Sequence, residues 1–221
     1  MITLFEKYKL NEEEYYYNNI DYANSFHNEI FRAMYRDSIF DENIKWVKNL
    51  VINKKININC KDYDSTKRSY TPLLKSIEML DYSHTYIWLR KITFFLINNG
   101  ADPNLDNDYG QTPLMLASSL SEDRIVKKLI EKGAKIDAQD KYGDTAFIKA
   151  VKSRNGFDHI TVGELINAGA DWFLKNNENE YPYMLMKKRI SDYYMKSVIA
   201  KNHPEQYENA LMIVNSKKYN L

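Results

Sequence analysis

The feature that most constrains this chain is the spacing of its glycines. Three of the seven precede alanine, in Gly100-Ala-Asp-Pro-Asn104, Gly133-Ala-Lys-Ile-Asp137 and Gly169-Ala-Asp-Trp-Phe173. Two more stand two residues before threonine, in Tyr109-Gly-Gln-Thr-Pro113 and Tyr142-Gly-Asp-Thr-Ala146, which leaves Gly156 and Gly163 outside both contexts. Twelve residues separate Gly100 from Thr112, Gly133 from Thr145 and Gly169 from Tyr181. The full step is 33 residues from Gly100 to Gly133 and 36 from Gly133 to Gly169. A period near 33 marks a stacked repeat, whose units cannot bury their apolar faces alone and must share a core with their neighbours.

Two helices per period follow from the residues between these anchors. Thr71-Pro72 and Thr112-Pro113 have the pattern of an N-cap and first helical residue: the hydroxyl accepts an orphan N–H, and proline has none to lose. Small residues such as Ala117 and Ser118 allow close helix approach. A second helix ends in an apolar pair just ahead of the glycine position, at Leu96/Ile97, Leu129/Ile130 and Leu165/Ile166, with Val51/Ile52 ahead of Lys55 as a degenerate first case. Glycine after such a pair stops a helix by adopting the left-handed conformation. The following residues, rich in Asp, Asn, Pro and Gly, predict a protruding hairpin-like loop rather than part of a continuous sheet.

These motifs resemble the ankyrin repeat: Asp108-Tyr-Gly-Gln-Thr-Pro-Leu-Met-Leu-Ala117 followed by Leu129-Ile-Glu-Lys-Gly-Ala134 matches its loop, helix, turn, helix and Gly-Ala stop. The resemblance covers about four-fifths of the chain. It implies an all-α ankyrin-repeat solenoid of about five repeats, with protruding hairpin-like loops and a helical cap at each end. Departures are Leu74, Met115, Ile148 and Met184 where the family often has histidine, Ala146 for proline and Asn179 for glycine. The same register places insertions in Asp62–Ser69, near Leu80–Trp88 and around Asn155–His159. The expected organisation is a lead-in over 1–25, repeats over 26–200 and a capping helix over 201–221. Phe26, Ile30, Ala33 and Met34 would cover the first repeat, and Tyr207, Ala210, Leu211 and Val214 the last. Asn11–Asn18 is either an acidic–aromatic contact strip or a solvated helix edge.

Chemistry is hard to find. The four histidines are scattered, and no metal-ligand spacing, phosphate-binding loop or nucleophile elbow occurs. Cys60, the single cysteine, sits at the foot of a loop and has the character of a packed thiol. Asp158-His159 is the one adjacent acid–histidine pair. The net charge of +1 gives no global field for nucleic acid, although residues 1–50 carry −3 and residues 182–221 carry +4. The opening residues lack a signal-peptide pattern, and no apolar run spans a membrane. The chain is therefore expected to be cytoplasmic, or in a host cytosol if a secreted effector, monomeric when free, and without catalytic residues, cofactor or metal.

What remains is a surface. The resemblance implies contact positions around the loop glycine and late in the first helix: Asp108, Tyr109, Gln111, Ser119 and Leu120 in one repeat. Lys141, Tyr142, Asp144, Lys152 and Ser153 correspond in the next, and Asn177, Glu178 and Glu180 further on. Tyr63 and Tyr70 bracket the longer early loop. Tyrosine is enriched at binding hot spots, so a row at loop tips fits a protein partner. The expected function is a non-enzymatic protein-binding module. Two alternatives stay open: an inhibitory binder such as an immunity protein or effector, and an enzyme with its site in an insertion.

Overall fold

A computed structural model describes residues 40–53, 56–63, 69–82, 87–153, 155–191 and 195–219. The expected first cap, the strip Asn11–Asn18 and Lys55 lie outside the described residues, as do 64–68 and 83–86 of the two early insertions. The chain forms two compact units, Met1–Asp102 and Pro103–Leu221.

The first unit holds α1 (Phe40–Ile52), β1 (Asp62–Tyr63), β2 (Ser69–Tyr70), α2 (Pro72–Glu78), a 3₁₀ turn (Met79–Tyr82) and α3 (Ile87–Asn98). The longer loop closes on itself as an antiparallel pair, Asp62 opposite Tyr70 and Tyr63 opposite Ser69. Helix α3 packs on both α1 and α2, burying Leu89, Ile92, Leu96 and Ile97 against Val47, Leu50, Leu73, Leu74 and Ile77. The second insertion begins as the 3₁₀ turn, which buries Leu80 ahead of α3.

The second unit shows the repeat most plainly. Its helices are α4 (Pro113–Ser119), α5 (Asp123–Glu131), α6 (Ala146–Val151), α7 (His159–Asn167) and α8 (Pro182–Arg189). A π-helical segment (Met195–Ala200) and α9 (Pro204–Tyr219) complete it. First helices stack in one row, α4 on α6 on α8, and second helices in another, α5 on α7 on the π-helical segment. Leu114, Ala117, Ile125, Val126, Leu129, Phe147, Ile148, Val162, Leu165 and Met186 fill the space between. Among the described residues, 100–112 and 133–145 contain no strand, and the fold is all-α.

The helix signals work as the chemistry requires. Thr71, Thr112 and Thr145 accept the N–H of Leu74, Met115 and Ile148 on their hydroxyls, at 3.2, 3.4 and 3.2 Å. The apolar side chains at those third positions, where histidine was noted as absent, are buried. At the helix ends Gly100, Gly133 and Gly169 have φ of +92°, +82° and +86°. The alanine that follows each turns inward and donates its N–H to Leu96, Leu129 or Leu165, in each case at 3.0 Å. Glycine makes the reversal and alanine is small enough to be buried beside it.

Truncating Leu129 to alanine should cost about 2–5 kcal/mol, because it is fully buried on a helix that packs against both α4 and α7. Denaturant unfolding of L129A checks this; wild-type stability would mean that the register is wrong.

Candidate functional site

The loop tips of the second unit are built by one side chain repeated three times. The Asn107 Oδ1 accepts the N–H of Tyr109 and of Gln111, both at 3.0 Å. Asp140 does the same for Tyr142 and Asp144, at 2.9 and 3.0 Å, and Asn176 for Glu178 and Glu180, at 3.0 and 2.8 Å. Each carbonyl of these residues also accepts the N–H three positions on, from Gly110, Gly143 and Asn179. That fourth residue is left-handed, with φ of +73°, +75° and +59°. A buried Asx side chain thus organises the turn and pushes the two residues between out of the fold.

Neighbouring tips then pair through the main chain. The Tyr109 carbonyl accepts the Lys141 N–H at 2.9 Å, and the Tyr142 carbonyl accepts the Asn177 N–H at 3.0 Å. The Gln139 amide donates to the Gly143 and Lys175 carbonyls at 2.7 and 2.8 Å, tying the same two loops. The approach is close enough to require glycine. A Cβ on Gly143 would lie 2.9 Å from the Asn176 Cα, and one on Gly110 3.3 Å from the Asp140 Cα. Asn179 departs from this pattern at the last tip, and among the described residues that follow no turn of this kind lies against it.

An ion-pair cluster lies beneath the second and third tips. Lys149 on α6 reaches Asp140 at 2.8 Å and Asp144 at 3.1 Å. Lys152 reaches Glu180 at 2.8 Å, Asp144 at 3.5 Å and Glu178 at 4.0 Å, and the Asn176 amide donates to Asp144 at 2.8 Å. Burial opposes the charge on Asp144, but the Asn176 amide with Lys149 and Lys152 outweighs it and holds the carboxyl below its ordinary value. Burial likewise opposes the Lys149 charge, and Asp140 and Asp144 overcome it, raising the ammonium above its ordinary value. The Lys149 ammonium also lies 5.8 Å from the centre of the Tyr142 ring, in cation–π range.

The expected contact residues divide on this geometry. Tyr109 and Tyr142 stand exposed at adjacent tips, 40 % and 57 % accessible, with Asp108 and Lys141 exposed beside them. Gln111, Ser119, Leu120 and Lys152 are half-buried, and Glu178 is exposed. Tyr63, in the first unit, is exposed as well. Three residues need correction as contact positions. Tyr70 is 1 % accessible: it lies on the return strand into α2, its hydroxyl 2.7 Å from Glu78 and its ring 4.5 Å from the Lys75 ammonium. Ser153 is buried because its hydroxyl donates to the Ser119 carbonyl across one repeat at 2.9 Å. Asp144 is buried in the ion-pair cluster.

The other candidates have structural explanations. Asp158 is the N-cap of α7, accepting from the Ile160 and Thr161 N–H groups at 3.0 and 3.3 Å. Burial, with Asp62 nearby, pushes the Cys60 thiol up to about 11, so it is protonated at neutral pH. Among the described residues no group of three His, Cys, Asp or Glu is placed to hold a metal ion. No described helix is long and apolar enough to cross a membrane. Lys149, Asp140, Asn107 and Asn176 were not singled out from the sequence, although the Asx residues recur at the same 33- and 36-residue steps as the glycines.

Comparison with known proteins agrees with this geometry. The family profile of ankyrin repeats (3 copies) matches residues 38–139 and 84–176. The chain is 35% identical over 88 residues to the ankyrin repeat protein YahD of Escherichia coli (strain K12), covering 40% of each. It is 32% identical over 120 residues to an ankyrin repeat protein of Acanthamoeba polyphaga mimivirus, covering 52% of this chain and 71% of that one. Human SH3 and multiple ankyrin repeat domains protein 2 is 38% identical over 84 residues, which span 37% of this chain but 4% of that protein. Among solved structures, an ankyrin repeat domain from Acinetobacter baumannii AYE superposes with a TM-score of 0.54 at 25% identity, covering 66% of this chain and 69% of that one.

Replacing Lys149 by methionine should leave Asp140 and Asp144 short of charge compensation and cost about 1–3 kcal/mol at neutral pH. Because Asp144 is held below its ordinary value, its contribution is complete above about pH 4 and lost as pH falls through the lowered one. Unfolding curves of K149M at pH 7 and pH 3 should therefore differ from wild type more at pH 7. An equal difference at both would contradict the pairing.

Proposed function

The chain belongs to the ankyrin-repeat family, and from that membership we propose that it is a non-enzymatic module that holds a partner protein on the loop tips and first-helix side of its second unit. Ankyrin repeats generally mediate protein–protein interactions, and the family is typically a binding scaffold. The observation that carries the reading is the pair Tyr109 and Tyr142, exposed on adjacent tips whose main chains are hydrogen-bonded to each other. A tyrosine offers a large amphipathic face and loses little conformational entropy when held, so two on a preorganised support make a strong contact. Asp108, Lys141 and Glu178 surround them with charge of both signs, the composition of a polar rim. Gln111, Ser119, Leu120 and Lys152 extend the surface toward the first helices, and Tyr63 is the contact position of the first unit. The helix Pro204–Tyr219 serves as the cap of the last repeat.

The test compares three forms of the chain as bait in extract of the source cells: wild type, Tyr109→Ala with Tyr142→Ala, and Lys127→Ala with Lys128→Ala on α5. A partner retained by the first and third forms and lost by the second is then purified and titrated. The tyrosine pair should weaken binding by roughly 2 kcal/mol or more, about thirtyfold, and leave melting nearly unchanged. If the lysine pair mattered and the tyrosines did not, the working surface would be on the second helices.

A further inference from the structure

Gly163 belongs to neither repeated glycine context, and its place in the fold is explained by a histidine forty residues later. It lies mid-helix in α7, and a Cβ there would sit 3.0 Å from the His203 Nε2. His203 joins the π-helical segment to α9: its N–H is donated to the Ile199 carbonyl at 2.8 Å, and its carbonyl accepts the Tyr207 N–H at 3.0 Å, the first bond of α9. His203 is 8 % accessible, and its imidazole meets the Asn167 Oδ1 through Nδ1 at 2.9 Å. That contact makes Nδ1 the protonated nitrogen of the neutral ring and turns the Nε2 lone pair onto the bare Gly163 backbone. Helix α9 in turn covers the aromatic end of the unit, with Tyr207 6.5 Å from Trp172, ring centre to ring centre.

We propose that His203 is an acid-sensitive latch: the neutral ring docks α9 over the last repeat, and a proton on Nε2 releases it. The added N–H would point at Gly163, which offers no acceptor side chain. Burial holds the imidazole below its ordinary value, with Glu164 of α7 opposing. Glu164 also lies 3.9 Å from Lys127, which weakens its pull on the ring. Lys196 and Lys201 before His203 and Glu205 and Glu208 in the first turns of α9 are exposed. A histidine whose value is lowered by folding stabilises the fold above its unfolded value, and that stabilisation is lost as pH falls through the lowered one. The latch does not depend on the proposed binding surface.

An NMR titration of the full chain from pH 7.5 to pH 4.5 tests it, following the His203 ring together with the Tyr207 and Ala210 amides. The amides should change with the His203 midpoint, which burial places below the ordinary histidine value. In His203→Gln the amide transition should vanish from this range. Glu164→Gln, a milder change, should move the His203 midpoint to lower pH with α9 docked at pH 7.5. Amides that move identically in wild type and His203→Gln would overturn the latch, as would a His203 titration that leaves them still. A His203 midpoint unmoved by Glu164→Gln would overturn the electrostatic part of it.

Discussion

The structure of the second unit depends on one turn being able to lie against the next. The turn is made by a buried Asn or Asp whose side-chain oxygen gathers two N–H groups, at Asn107, Asp140 and Asn176. It is closed by a left-handed residue, and where another turn lies against it that residue has no Cβ. With both conditions met, the tip carbonyl of one repeat accepts the N–H of the next, and the two intervening side chains are left facing outward. The most exposed part of each repeat is thus held by its buried part, so a contact residue at the tip needs no ordering when a partner arrives.

Two kinds of joint run in parallel from repeat to repeat. The helices are joined by apolar burial, which tolerates sliding. The loops are joined by directional bonds, which do not: Asn104 with Gly133 and Lys135, Asp137 with Asp171, and Tyr109 with Lys141. Lys149 and Lys152 connect the two systems, since they leave the first helix and end among the carboxylates of two successive loops. Asp140, Asp144 and Glu180 are paired with these lysines rather than presented to solvent. The residues that present charge outward, Asp108, Lys141 and Glu178, stand next to the tyrosines rather than beneath them.

Much of this was legible in the sequence because stacked repeats write local constraints at a fixed interval. Gly100, Gly133 and Gly169 stop helices, Thr71, Thr112 and Thr145 start them, and Asn179 keeps a glycine conformation. What escaped was what depends on partners distant in sequence. Tyr70 resembled a tip residue until the β1–β2 pair turned it inward, and Ser153 resembled a helix-surface residue until its hydroxyl found Ser119. Asn107, Asp140 and Asn176 were visible as loop formers, but the paired N–H groups that single them out appear only when the turn is closed. Gly163 and His203 fall outside the repeat period altogether. Their contact joins two helices that no spacing connects, and only the folded chain brings them together.

In this structure the tips are locked to one another rather than being independent loops on a helical base. Native-state hydrogen exchange at the Lys141 and Asn177 amides tests it directly. Both residues are exposed, and their N–H groups are donated to the neighbouring tip. If the tips are locked, these amides exchange about as slowly as the Ile148 and Val162 amides of the helices beneath them, with protection approaching that of global unfolding. Exchange near the rate of an unstructured peptide, with the helices still protected, would show that the turns move independently and would contradict the account.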